Sequence, residues 1–357
     1  MTSSTLGVDT VAFRETARTV VGRVISGAVT VLLATFLSFA LLRVFPGDPA
    51  RTVLGSLATP ESIANLRHEM GLDRALPTQF WIYIRDFFTG DWGFSYATGV
   101  PVRTLMGQRI MATVELALTA FLLAFIPALA LALVVTYRPR KWLDASARGL
   151  AYIAIGTPTF WLALLALIVG FVNWHILPGP EGRLSVDVSP PPHITGLYLF
   201  DSFFTGHFAT FGNAAWHILL PALVLAFPSF GFMFLLLRVN LLEVRNEPFL
   251  LVVRSKGVSR WWAFVRHALP NAFLPTLTAS GLVLAGLLTG TVLVEAVFAW
   301  PGAGALVVDS VQRQDFAVVQ AFILLAAVIY VVINTLVDVL YGIVDPRVRL
   351  RGAGAAA

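Results

Sequence analysis

Charge spacing constrains this chain more than any other feature. About 20 consecutive, mostly apolar residues carry a helix across the hydrocarbon core of a bilayer. Six stretches of that kind run without an Asp, Glu, Lys or Arg: 24–42, 116–137, 149–174, 216–237, 273–294 and 316–337. With 57% hydrophobic and only 13% charged residues, a soluble chain of this length lacks the polar surface to stay dispersed. The sequence therefore predicts an all-α membrane protein with six transmembrane helices. It contains no cysteine, which excludes disulfides, thiol catalysis and thiolate metal sites.

Orientation follows from the basic residues, which are retained on the cytoplasmic side of spans. One set of connecting segments carries Arg14, Arg18 and Arg23, then Arg138, Arg140, Lys141 and Arg148. The same set continues with Arg238, Arg245, Arg254, Lys256, Arg260 and Arg266, and ends with Arg347, Arg349 and Arg351. The opposite set includes the loops 177–213 and 296–315, which hold only Arg183 and Arg313. The long loop 46–107 carries five arginines, but long loops translocate largely regardless of charge. Both termini are thus expected in the cytoplasm. Residues 1–22 form an amphipathic segment resting on the inner surface, 23–345 the span domain, 239–271 the main cytoplasmic loop and 346–357 a tail. The first apolar stretch exceeds a typical signal-peptide core and reads as a retained anchor. Retained cations also account for the net charge of +5, so nucleic acid is not indicated as a partner.

The outer loops carry local signals. Thr59-Pro60-Glu61 starts a helix that Gly71 stops, and Pro77 opens an amphipathic helix ended near Gly90. Segment 177–215 begins rich in Pro and Gly and becomes a short amphipathic piece after Thr195. No GxxxxGK[ST] occurs, so nothing cradles nucleotide phosphates. Gly302-Ala303-Gly304 reads as flexible backbone. The six histidines are scattered, and no nucleophile or carboxylate pair stands in a catalytic context. The expectation is a non-enzymatic chain that binds no cofactor or metal of its own. Glu115, Glu295 and Asp338 lie at or near span ends, where a carboxylate ordinarily reaches water and an intramembrane functional charge is the alternative. Gly286 and Gly290 form GxxxG in the fifth span, a close helix interface or a chance match.

Residues 239–271 are the longest segment on the basic side. Asn246 is expected to cap a helix with Pro248 at its start and Gly257 as a left-handed stop. Ser259 then caps a second helix ending before Pro270. The first helix would expose Phe249, Leu250, Val252 and Val253 beside Arg254 and Lys256. Such a ridge fits either a partner groove or a hairpin packed on its own bundle.

This segment resembles the EAA loop of permease subunits of ABC importers, with Gly257 and Leu269-Pro270 at the family's spacing, Leu251-Val252-Val253 at its triplet and His267 at its Ile position. More of the chain is similar to the dipeptide, oligopeptide and nickel branch. The blocks are FPGDPA (45–50), GLDRALPTQFWIYIRDFFTGDWGFSY (71–96), GTPTFW (156–161) and TGLYLFDSFFTGHFATFGNAAWHILLPALVL (195–225), followed by VEAVFAWPGAGALVVDSVQRQDFAVVQ (294–320) and NTLVDVLYGIVDPRVR (334–349). The resemblance implies a type I importer permease fold with cytoplasmic coupling helices. It implies a second homologous permease subunit, two ABC ATPase subunits that use ATP and magnesium, and an extracytoplasmic binding protein. It assigns residues 249–257 (Phe249, Leu250, Leu251, Val252, Val253, Arg254, Ser255, Lys256, Gly257), with Leu269 and Pro270, to the ATPase-coupling loop. Glu295, Trp300 and Pro301 are candidate pathway or gate residues. The solute implied is a dipeptide or oligopeptide, with nickel chelates and glutathione as alternatives. An ion-coupled secondary transporter is the competing class; it calls for ionisable groups at mid-membrane, and the span centres carry none.

Overall fold

The computed structural model describes residue 22 and residues 25–40, 49–55 and 58–344. The expected amphipathic segment, apart from residue 22, and the tail 346–357 lie outside the described residues. The chain begins with α1 (Ile25–Ala40), followed by three helices of the first loop. These are α2 (Pro49–Leu54), α3 (Pro60–Glu69) and α4 (Leu76–Thr89). Thr59 caps α3 through a reciprocal pair with Ser62, and Gly90, at φ +93°, ends α4, as the local signals predict. A hairpin not anticipated from the sequence follows, pairing β1 (Phe94–Ser95) antiparallel with β2 (Val100–Pro101).

Then come α5 (Val102–Tyr137), α6 (Lys141–Gly156) and α7 (Thr159–Ala166), which continues as a π-helical turn over Leu167–Asn173. After a long connection, α8 (Tyr198–Phe204) leads into α9 (Phe208–Arg245). Two short helices follow, α10 (Pro248–Ser255) and α11 (Arg260–Ala263). α11 runs through a second π turn into α12 (Leu269–Gly290). The chain closes with α13 (Val292–Val297), α14 (Ala303–Gln312) and α15 (Phe316–Val344).

Among the described residues each apolar stretch falls largely on helix, but not always as one straight crossing. Four helical runs, 102–137, 208–245, 260–290 and 316–337, are long and apolar enough to cross a membrane singly. The expected third span is instead broken, with α6 and the α7 run meeting at 100°. Pro158 is the cause: it lacks an N–H and forces Thr157 into extended backbone, ψ 121°. Within the described residues, α1 is shorter than a full crossing.

α5 and α9 form the centre of the bundle. Ala112, Ala120, Ala124, Ala128 and Ala132 sit on one face of α5 and are fully or almost fully buried. Small side chains at four- and eight-residue intervals let two helix backbones approach where lipid supplies no hydrophobic drive. The same logic sets α9 on α6: a Cβ at Gly231 would lie 2.6 Å from the Ala151 carbonyl oxygen. The core divides lengthwise. One cluster joins Leu116, Ile218, Phe298 and Trp300, the other Met233, Phe234, Leu237, Leu250 and Phe264. α1 packs beside α15 and α4, where Val31, Ile84, Phe87 and Leu324 share a smaller cluster.

Candidate functional site

α9 delivers the chain from the end bearing 177–207 to the end bearing 246–260, and there the expected corner forms. Its details differ from the sequence expectation. Asn246 closes α9, and Glu247, without a side-chain bond, precedes α10; the expected Asn246 cap is corrected because its backbone is already α-helical at φ −93°, ψ 0°. Gly257 adopts φ +83°, as anticipated for a left-handed stop. Ser259 caps α11 by accepting the Trp262 N–H. The second helix does not end before Pro270. The Leu269 N–H bonds back five residues to the Phe264 carbonyl, and this π turn absorbs the bond Pro270 cannot make, so the helix runs on as α12.

Exposure along α10 is also different from expectation. Leu250 is buried in the core, and Val253 is half-buried. The bare apolar surface is Leu251, 66% exposed, with Val252 at 54% and Phe249 at 37%. Arg254, Ser255, Lys256 and Gly257 flank it, all exposed. Leu269 is half-buried and Pro270 exposed. One helix thus does both jobs considered from sequence, packing Leu250 inward and presenting Leu251 outward.

The corner is fastened to the bundle by residues the sequence reading did not single out. The last carbonyls of a helix lack intrahelical donors, and arginines supply them to α5. Arg245 donates to the Thr136 carbonyl at 2.9 Å and Arg260 to the Tyr137 carbonyl at 3.5 Å. The Tyr137 ring meets Trp261 edge-on at 5.0 Å and Phe264 at 5.6 Å, with the Arg260 guanidinium 5.6 Å above it. Arg238 holds Asp144 of α6 through two bonds, 2.5 and 2.7 Å. Between α5, α10 and α11 lies a cleft of about 300 Å³ lined by Tyr137, Arg245, Leu251, Arg254 and Arg260. The detectable signal was Asp144, an isolated acid among the basic residues 138–148.

At the other end, two carboxylates expected to reach water are buried instead. Glu115 is 5% exposed, pairs with Arg183 at 2.5 Å and accepts the Leu199 N–H at 2.6 Å. Arg183 also lies 3.4 Å over the Tyr198 ring. The connection 177–197 is thereby tied into the bundle. Glu295 is fully buried and accepts from the Thr113 and Thr291 hydroxyls and the Ala305 N–H, at 2.7 to 2.9 Å. Trp300, 2% exposed, donates to the Ala112 carbonyl, while Pro301 is half-buried. Gly302 and Gly304 are not flexible backbone: both are buried against Glu295, where a Cβ on Gly304 would sit 2.8 Å from its carboxylate. The Asp338 side chain lies outside the described residues.

Asp201 on α8 organises the adjacent loop. Burial pushes its carboxyl up, but the Thr195 hydroxyl and the N–H groups of Thr195, Gly196 and Ile194 outweigh this and hold it below the ordinary carboxylate range. A Cβ added at Gly286 or Gly290 would meet no atom of another element within 4 Å among the described residues, and both glycines border a groove of about 310 Å³ with Pro228 and Phe232 of α9.

Residues 120–350 match the model of the family described as binding-protein-dependent transport system inner membrane component, and residues 16–117 match that of its N-terminal region. The chain is 41% identical over 318 residues to a probable D,D-dipeptide transport system permease protein of Escherichia coli K12, covering 89% of this chain and 93% of the relative. It is 35% identical over 320 residues to a dipeptide transport system permease protein of the same strain, covering 88% and 94%. A putative peptide transport system permease protein of Brucella abortus strain 2308 is 33% identical over 327 residues, covering 92% and 97%.

Proposed function

The chain belongs to the family of binding-protein-dependent transport system inner membrane components, and from that premise we propose that it forms half of the pathway of an ATP-driven importer of short peptides. A second, homologous permease supplies the other half, and an extracytoplasmic binding protein delivers the peptide. Two ATPase subunits dock on the corner α10–α11 from the cytoplasm, where both termini lie. This chain binds no nucleotide itself; ATP and magnesium act in those subunits.

The observation that carries this reading is the Leu251–Val252 ridge on a short, rigid corner, bare in a chain that buries its neighbour Leu250. A partner groove accepting that ridge feels every displacement of α10. Arg260 of α11 passes the displacement to α5, and at the adjoining end of α9 Arg245 ties that helix to α5 and Arg238 ties it to α6. Gly286 and Gly290 offer a close face to the second permease. Glu295, Trp300 and Pro301 brace the outer mouth, so that the pathway wall moves as one body.

The test is uptake of a radiolabelled dipeptide into proteoliposomes holding this chain, its second permease, the ATPases and the binding protein. ATP-dependent accumulation that stops when any one component is omitted is the expected result. Accumulation driven by an ion gradient without ATP would overturn the reading.

A further inference from the structure

Positive charge is concentrated at one end of the bundle. Residues 138–148 and 238–266 hold ten basic side chains and three acids, so this end is more positive than the chain's net +5. Part of that charge is engaged inside the protein: Arg238 and Arg148 hold Asp144, and Arg245 holds the last turn of α5. The turn from α5 to α6 is different. Its Arg138, Arg140 and Lys141 are all exposed and pair with no acid among the described residues.

The same turn carries exposed aromatic surface. Trp142 follows Lys141 directly and is 66% exposed, and Trp261 is 47% exposed. Trp261 packs edge-on against Tyr137, and the Arg138 guanidinium lies 5.9 Å from the centre of that ring. Cations and indoles thus share one surface around the end of α5.

Depth decides what this surface meets. The helical run 260–290, whose second residue is Trp261, is 31 residues long. At 1.5 Å per residue it measures about 46 Å, against about 40–45 Å for a bilayer with its headgroups. Its first turn stands in the headgroup layer, and so does Tyr137, the last residue of α5, which packs on it. Tryptophan and tyrosine favour that layer, where an apolar ring meets hydrocarbon and its polar tip meets headgroups. Lys and Arg at the same depth face lipid phosphates, and a net negative headgroup draws them most strongly. The Leu251–Val252 ridge, by contrast, lies on α10, outside both flanking runs.

We propose that the α5–α6 turn, together with Trp261, binds the headgroup of an anionic phospholipid in the leaflet on the basic side of the membrane. The inference goes beyond the transport reading and holds whatever solute the pathway carries. The lipid phosphate neutralises the three free cations and steadies the junction where Arg260 and Trp261 hold the end of α5.

The test places p-benzoylphenylalanine at position 142 of the full complex, in nanodiscs of equal phosphatidylglycerol and phosphatidylcholine. Irradiation and mass spectrometry then identify what the turn touches. Phosphatidylglycerol adducts should outnumber phosphatidylcholine adducts about fivefold at low salt. About 1 M sodium chloride, which screens exposed charge, should bring the ratio towards one. The combined Arg138→Gln, Arg140→Gln and Lys141→Gln variant should do the same, with gel filtration checking assembly; the salt arm needs none of these three changes. Adducts with an ATPase or any other protein subunit, no lipid adduct, or equal adducts of the two lipids at low salt would overturn the proposal. So would a preference that neither salt nor the variant moves.

Discussion

Replacing Gly257 by valine isolates the mechanical role of the corner. The residue sits at φ +83°, and beyond its chain neighbours no heavy atom of the described residues lies within 4 Å of where a Cβ would be. A Cβ there therefore clashes with nothing among the described residues, and the main cost of the substitution is torsional. A left-handed conformation costs an L-residue roughly 1–2 kcal/mol, at the upper end for a β-branched side chain. That is a factor of about 5–30 in the population of the formed corner. Gly99, at the tip of the β1–β2 hairpin, provides a matched control: φ +73° and equally open space. The two variants carry the same strain at opposite ends. The assay is peptide accumulated per ATP hydrolysed in proteoliposomes. Gly257→Val should lower that ratio several-fold with the complex intact, Gly257→Asn should largely restore it, and Gly99→Val should leave it unchanged. Equal ratios for Gly257→Val and wild type would refute the argument that a rigid corner transmits the push.

Four further outcomes follow from the contacts. Arg183→Met strands Glu115 in a buried site and should destabilise the connection 177–197 by about 3–5 kcal/mol, while Glu115→Gln with Arg183→Met costs much less; proteolysis rates of that connection measure both. Asp201, held below its usual value, supports its loop above about pH 4 and loses that support as pH falls through its depressed pKa. Asp201→Asn should therefore open 194–196 to hydrogen exchange at neutral pH, by about 1–3 kcal/mol, and leave it insensitive to acid. Val186→Cys, at a residue 96% exposed, should react with an impermeant maleimide from outside intact cells, which checks the orientation. The purified chain alone should hydrolyse no ATP, read by phosphate release.

The apolar stretches located the helices because a bilayer imposes length and composition on each segment separately. What depends on partners far along the chain stayed hidden. Glu115 looked like an acid near a span end; it is buried because Arg183, 68 residues away, comes to meet it. Glu295 was misread for the same reason, since Thr113 and the backbone after Gly302 enclose it. Pro158 and Pro270 carry the same signal, a missing N–H. One stands where its span bends by 100° and the other follows a π turn that keeps the helix continuous, and the sequence did not tell the two outcomes apart. At the corner, Gly257 and Ser259 were readable because a left-handed glycine and a serine cap act locally. The arginines that fasten the corner were not, because their acceptors are carbonyls, which every residue has.

The central claim is that α10 meets an ATPase, and a photocrosslink tests it most directly. p-Benzoylphenylalanine replaces Leu251, whose side chain stands bare on the corner, and the assembled complex is irradiated. The account predicts an adduct with an ATPase subunit whose yield changes when ATP is bound. Adducts confined to lipid, or to this chain's own α5 and α6, would contradict it.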